Sequence, residues 1–231
     1  MNWLKAVLDL VYPPRCFLCR GLTKGGKTVC FSCQEKLDLS SGGCSFCSYS
    51  DHTWGSCSWC TDKDLYVSGI YALGPYRGNL KKLLKMYKYE GKKEVADFFI
   101  PYLAEEIGLQ IKTKNWLSPE GIVPIPLHSR RLKERRFNQA RILADKLAIH
   151  LDVPVLDVLK RVRDTQTQTR LSRTERWENV QGAFKLAERE KMANCLLVVD
   201  DICTSGATIN EAARVLKEGG SQTLYAAVIG R

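Results

Sequence analysis

The chain has 231 residues, a length that suits one ordinary domain plus a small appendage. An apolar fraction of 45% is enough for a packed core and excludes global disorder. Lysine and arginine outnumber the acids by 35 to 25, a net charge of +10, which favours polyanions such as nucleic acid, phosphates or anionic lipid.

Residues 1–12 are apolar at Trp3, Leu4, Val7, Leu8, Leu10 and Val11, but Lys5 and Asp9 interrupt them. No apolar run in the chain approaches the roughly 20 residues that span a bilayer. The segment also lacks the basic start and small-residue cleavage site of a signal peptide. It reads as a short amphipathic helix that Pro13-Pro14 ends. A cytoplasmic location is expected, and in a reducing compartment paired cysteines mean metal rather than disulfides.

Residues 13–62 hold Cys16-x2-Cys19, Cys30-x2-Cys33, Cys44-x2-Cys47 and Cys57-x2-Cys60. Apolar residues between them are sparse, so the segment needs a staple. Four thiolates about 2.3 Å from Zn²⁺ supply one. Eight cysteines suggest two sites. The simplest assignment is sequential, Cys16, Cys19, Cys30, Cys33 and then Cys44, Cys47, Cys57, Cys60; the spacing also admits an interleaved set. A four-cysteine site has no open position, so both zincs are expected to be structural. His52 is a spare ligand that eight cysteines make unnecessary.

From Asp64 the texture changes. Residues 66–76 alternate β-branched and aromatic with small residues, a strand or hairpin. Gly78–Tyr89 has Leu80, Leu83, Leu84 and Tyr87 at helical spacing, with Lys81, Lys82, Lys85 and Lys88 on the other face, which is either solvated or a surface for phosphates. Residues 94–111 form a second helix. Residues 121–127 are a short strand ending in Pro-x-Pro, and 137–151 are helical. Residues 161–182 are polar without periodicity, either disordered or a lid. Cys195–Val199 is a strand buried on both faces. Residues 206–218 are a helix closed by Gly219-Gly220, and 222–229 a last strand. Strands alternating with helices indicate an α/β fold with a mostly parallel sheet. The expected domains are 1–62 and 63–231.

The strongest local signal begins where the strand Cys195–Val199 ends. Asp200-Asp201 is followed by Ile202-Cys203 and then by Thr204-Ser205-Gly206-Ala207-Thr208 at a helix start. Open α/β sheets bind ligands at the carboxyl ends of strands. Backbone amides at the helix start, with the hydroxyls of Thr204, Ser205 and Thr208, suit a small phosphate. Gly206 lets the backbone approach it. The two carboxylates can accept hydrogen bonds from vicinal hydroxyls of an attached sugar. Cys203 is either a redox-sensitive thiol near a helix start or a tolerated small residue.

This stretch resembles the 5-phosphoribosyl-1-pyrophosphate loop of type I phosphoribosyltransferases. By that resemblance Asp200 and Asp201 hold the ribose hydroxyls and residues 204–208 the 5-phosphate. Further pieces follow in order: the cysteine pairs, Val123-Pro124-Ile125-Pro126-Leu127, Arg131-x3-Arg135-x-Phe137-Asn138-Gln139, Gln168-x2-Leu171, and Arg176-x2-Asn179-Val180-x-Gly182-Ala183-Phe184. The series resembles the ComF/ComFC family, associated with DNA uptake in naturally competent bacteria, and covers essentially the whole chain. It implies a type I phosphoribosyltransferase-like domain behind an amino-terminal double zinc-ribbon-like module. Arg136 departs from it, since the family usually has glycine there.

The cations are concentrated. Arg131, Arg135 and Arg136, with Asn138 and Gln139, follow the Pro-x-Pro strand, where a phosphoribosyltransferase binds pyrophosphate; they suit either pyrophosphate or DNA phosphates. Arg161, Gln168, Arg176 and Asn179 belong to the candidate lid. In an enzyme the cations would hold pyrophosphate with Mg²⁺; in a DNA-binding protein they would follow a strand, with Trp177 and Tyr87 stacking on unpaired bases. His128 sits near the same loop, but no base-reading motif and no clear acid or base is evident. The resemblance implies assistance to incoming single-stranded DNA, with a helicase-like uptake protein as partner. An active phosphoribosyltransferase or pyrophosphate-donor hydrolase and a zinc-held adaptor are the other readings.

Overall fold

The computed structural model describes residues 12–40, 44, 46–47, 57–113, 115–165, 171–187 and 192–231. Almost all of the lead helix read into residues 1–12, and also His52 and Gln168, lie outside the described residues.

Two single turns, α1 (Phe31–Gln34) and α2 (Ser58–Thr61), each follow the third cysteine of a set. The larger unit starts with β1 (Gly69–Gly74), α3 (Gly78–Tyr89) and α4 (Glu94–Thr113). It continues with β2 (Gly121–Pro124), α5 (Ser129–Arg135), α6 (Gln139–Leu151) and β3 (Leu159–Arg161). Then come α7 (Arg173–Val180), β4 (Phe184–Leu186), β5 (Cys195–Val199), α8 (Ala207–Glu218) and β6 (Thr223–Gly230).

The main sheet has the order β1-β6-β5-β2, and every pairing is parallel. Alternate residues of its central strands feed opposite core layers. Leu197, Val199, Ala227 and Ile229 pack with Leu83, Phe99 and Leu143 of α3, α4 and α6. Leu196, Val198, Ala226 and Val228 pack with Ile209, Ala212 and Leu216 of α8 and with Phe184 of β4. Helices on both faces explain why β5 reads as an unbroken apolar run rather than an alternating one. None of the described helices is long and apolar enough to cross a membrane.

Of the strand or hairpin expected over residues 66–76, the fold has the strand, β1, parallel to β6. Two expectations are corrected. Residues 161–182 are not featureless, because Arg161 ends β3 and α7 follows. Helix α7 opens with a capping box, Ser172 accepting from the Glu175 amide and Glu175 accepting from the Ser172 amide. That Ser-x-x-Glu signal is present in the sequence. β3 and β4 form a small antiparallel pair of their own, into which the segment is stitched. Finally, the cationic stretch after the Pro-x-Pro strand is a helix, α5, not a loop.

Arg136 ends α5 with φ at +65°, in the left-handed region. The requirement for glycine there is a backbone requirement, since a Cβ disfavours this conformation by about 1 kcal/mol. Arg136→Gly should therefore raise the unfolding free energy by roughly 0.5–1 kcal/mol, the gain reduced by glycine's freedom in the unfolded chain. Urea titration of the two proteins reads this, and a less stable glycine variant would remove the strain account.

Candidate functional site

The carboxyl end of β5 places two acids side by side. Asp201 is buried, and its carboxylate receives Lys88 Nζ at 2.9 Å; the two side chains are 7% and 15% exposed. Lys88 is expected on the polar face of α3 with Lys81, Lys82 and Lys85. Those three are exposed, but Lys88 lies a turn away at the helix end and reaches under the sheet edge. Burial opposes the charge on Lys88, yet the carboxylates of Asp201 and Asp200 outweigh it and hold the ammonium above the usual lysine value. Asp200 is pushed the other way: burial and then repulsion from Asp201 raise its carboxyl to about 7, against the attraction of Lys88 and Arg161.

The turn after the acids leads into α8. Gly206 sits at φ +76°, and a Cβ there would lie 2.7 Å from the Phe46 carbonyl oxygen, so both conformation and space call for glycine. Ser205 is buried, while Thr204 and Thr208 face outward. Residues 202–209 form a shallow cradle at the start of α8, where the first-turn amides have no partner within the helix. Beside it lies a cavity of about 210 Å³. Its lining includes Asp200, Asp201, Thr204, Thr208, Lys88, Tyr76, Tyr89, Arg131, Arg135, Arg161 and Arg176. Two acids and two threonine hydroxyls thus face one another across a ring of five cations.

Three cations arrive on three different elements. Arg176, on α7, donates to Thr204 Oγ1 at 3.1 Å, so the helix of the candidate lid touches the candidate phosphate loop directly. Arg161, at the end of β3, donates to Thr165 Oγ1, and Arg131, on α5, donates to the Thr165 carbonyl at 3.2 Å. Burial and the neighbouring Arg131 both weaken the hold of Arg161 on its proton.

Other candidates serve as frame. Asn138 caps α6, accepting from the Ala140 amide at 3.1 Å and donating to the Ile125 carbonyl at 3.0 Å. Gln139 is buried; it accepts from Arg135 at 3.3 Å and donates to the Lys88 carbonyl at 3.4 Å, so it braces the two cations. Arg136 and Asn179 do not line the inner cavity. His128 caps α5, accepting from the Arg130 amide. Tyr87 cannot stack on a base, because it is fully buried and its hydroxyl donates to the Gln139 carbonyl at 2.8 Å. Trp177 is half-buried, donating to the Ser205 carbonyl at 3.3 Å. Cys203 is buried, its thiol donates to the Phe46 carbonyl at 3.8 Å, and burial pushes it up to about 12, surroundings that favour a small tolerated residue over a redox-sensitive thiol.

The cysteines gather in sequential sets: Cys16, Cys19, Cys30 and Cys33, then Cys44, Cys47, Cys57 and Cys60, each with sulfurs within 4.8 Å of one another. A tetrahedron of Zn–S bonds near 2.3 Å has sulfur–sulfur edges of about 3.8 Å. Cys19 and Cys30 sulfurs are 3.6 Å apart and those of Cys47 and Cys57 3.4 Å, so both sets fit zinc. The Cys30 and Cys57 amides point at the Cys16 and Cys44 sulfurs at 3.4 and 3.3 Å, a support that stabilises thiolate charge. Arg173, the first residue of α7, donates to Cys47 Sγ at 2.7 Å and lies over the Trp59 ring. The second set therefore adjoins both the lid helix and, through Phe46, the loop at Gly206. Lys88 and Arg173 were the residues the sequence did not single out; Lys88 carries only the weak signal of a lysine one turn past an apolar stripe.

Comparison with known proteins finds relatives for both parts of the chain. Residues 138–230 match the phosphoribosyl transferase domain, and residues 7–62 match the double zinc ribbon domain. The chain is 30% identical to competence protein F of Haemophilus influenzae, over 91% of this chain and 93% of that protein. It is 29% identical to the DNA utilization protein YhgH of Escherichia coli K12, over 92% of this chain and 94% of that one. It is 28% identical to competence protein ComFC of Bacillus subtilis, over 86% and 82%.

Two measurements test the site as described. Metal analysis of freshly reduced protein should give about two zinc ions per chain, and chelation should loosen the cysteine module first in hydrogen exchange; a count near zero would remove the assignment. For Asp200 the folded value, about 7, lies above the model-peptide value of 3.8. Its ionisation therefore lowers stability progressively as pH rises from about 4 to about 7. Asp200→Asn should raise Tm more at pH 8 than at pH 5, and an equal change at both would contradict the shift.

Proposed function

The chain belongs to the family of competence protein F and ComFC, and on that premise we propose that it handles incoming single-stranded DNA in the cytoplasm through a domain that binds 5-phosphoribosyl-1-pyrophosphate. Residues 63–231 are the phosphoribosyl-binding domain and residues 1–62 the zinc module in this reading. The observation that carries it is the inner cavity, where Asp200 and Asp201 face Thr204 and Thr208 with Lys88, Arg131, Arg135, Arg161 and Arg176 around them. A 5-phosphate on the 204–208 loop would put ribose hydroxyls at the acids. Asp201 is engaged by Lys88, which leaves Asp200 to receive them. The diphosphate would then meet Arg131 and Arg135. Mg²⁺, carried in on the diphosphate, would neutralise part of its charge. The acids and cations present are the oxygen donors and counter-charges such a ligand needs.

Zinc in the second cysteine set would brace the loop beside this pocket, since the Phe46 carbonyl lies close to Gly206 and Cys47 receives Arg173. A helicase-like protein of the uptake machinery is the expected partner. A second reading, turnover of the phosphoribosyl donor, is favoured by Asp200. A carboxyl held near 7 suits general acid–base work at neutral pH.

Calorimetric titration with 5-phosphoribosyl-1-pyrophosphate and Mg²⁺ decides the phosphoribosyl reading. Wild type should bind, and Asp200→Ala should weaken binding at least about tenfold, the loss of one or two charge-assisted hydrogen bonds. Equal binding by both proteins, or none by wild type, would sink it.

A further inference from the structure

A second cleft, of about 730 Å³, lies outside the inner cavity and is lined by Lys93, Arg130, Glu134, Arg136 and Phe137. It opens into the first: Lys88, Tyr89, Arg131 and Arg135 line both. A phosphoribosyl diphosphate in the inner cavity would leave this larger space unused.

Tyr89 stands at the junction. It is the last residue of α3 and 70% exposed, whereas Tyr87, two residues earlier, is fully buried. The Arg135 guanidinium lies 5.5 Å from the centroid of the Tyr89 ring. Arg135 is in turn held by Gln139, so the ring and its cation are set in place before any ligand arrives. Arg136 projects beside them, exposed, from the left-handed end of α5.

An exposed ring against a guanidinium, in a groove where six cations outnumber the two acids Glu90 and Glu134, is suited to one ligand chemistry. The ring takes the flat face of an unpaired base and the cations take the phosphates on either side. A duplex keeps its bases stacked inside and offers the ring no such face. A free diphosphate has no use for the ring, and a membrane surface would not enter a cleft. We infer that the outer cleft is the track for single-stranded DNA and that Tyr89 is its base platform. The strand shares Arg131 and Arg135 with the diphosphate of the inner ligand, so the two exclude each other. This inference rests on the DNA reading above and adds where the strand lies and what displaces it.

The test is fluorescence anisotropy of a labelled oligo-dT with the full-length, zinc-loaded protein. Tyr89→Ala should weaken binding at least about fivefold, the lower bound for losing one base–aromatic stack, and Tyr89→Phe should restore it. Lys93→Glu, on the outer cleft only, should weaken binding and lower the slope of log affinity against log salt by about 0.7. 5-Phosphoribosyl-1-pyrophosphate with Mg²⁺ should release the oligonucleotide. Wild-type affinity in both Tyr89→Ala and Lys93→Glu, no oligo-dT binding by wild type, or simultaneous occupancy by both ligands would overturn the inference. If wild type does not bind the phosphoribosyl ligand, the phosphoribosyl reading falls by itself and the Tyr89 and Lys93 results still decide where DNA lies.

Discussion

Two carboxylates at the end of one buried strand cannot both stay ionised without a cation close by, and the arrangement of this site follows from how that conflict is met. Lys88 reaches Asp201 at 2.9 Å from the end of α3, and both side chains are nearly out of water. Breaking such a pair would strand a buried charge, so it fixes where α3 ends relative to β5. Burial, and then the neighbouring Asp201, raise the proton affinity of Asp200 against the pull of Lys88. Gln139 then ties the Lys88 backbone and the Arg135 guanidinium into one frame. The pocket has one neutralised acid, one acid poised near neutrality and a rim of arginines.

The zinc module belongs to this frame rather than hanging beside it. Cys16, Val29 and Leu37 of the first half are buried in the same core as Leu73 of β1 and Phe99 of α4. A Cβ on Gly74 would come within 2.2 Å of the Asp38 carbonyl oxygen, so the strand end and the module meet backbone to backbone. The second half meets the ligand loop in the same way, through Phe46 and Gly206. Arg231, the last residue, donates to the Cys44 carbonyl at 3.1 Å. A segment with too few apolar residues for its own core gains order from thiolate ligands and from these contacts together.

The positive charge sorts into separate uses. Arg161 and Arg176 face the inner cavity from β3 and α7. Arg130 is paired with Asp164 at 3.0 Å at the rim. Arg214 is bound to Glu211 on α8, away from the site. Lys81, Lys82 and Lys85 are simply exposed on α3. A net charge of +10 therefore says less than the handful of cations that converge on the end of β5.

By itself the sequence determined what is local. The unbroken run Cys195–Val199, the acid pair, the hydroxyl-rich turn and the helix start are consecutive, so backbone geometry alone brings them together. The cysteine pairs announce two metal sites because Cys-x2-Cys is a local chelate, though their grouping into sequential sets became visible only in space. Helix α7 was legible in Ser172 and Glu175 and was passed over because its apolar content is low. The long-range contacts come from tertiary packing alone: Lys88 meeting Asp201 across more than a hundred residues, Arg173 meeting Cys47, the Phe46 carbonyl closing on Gly206, and Tyr89 exposed while Tyr87 is buried. Lys88 flanks the apolar stripe of α3, one turn on from Leu84, and the packing of that stripe carries it to the end of β5 while Lys81, Lys82 and Lys85 stay exposed. Burial then reverses the meaning of the residue, because a lysine in water is a solvated charge and the same lysine beside buried Asp201 is one half of an ion pair.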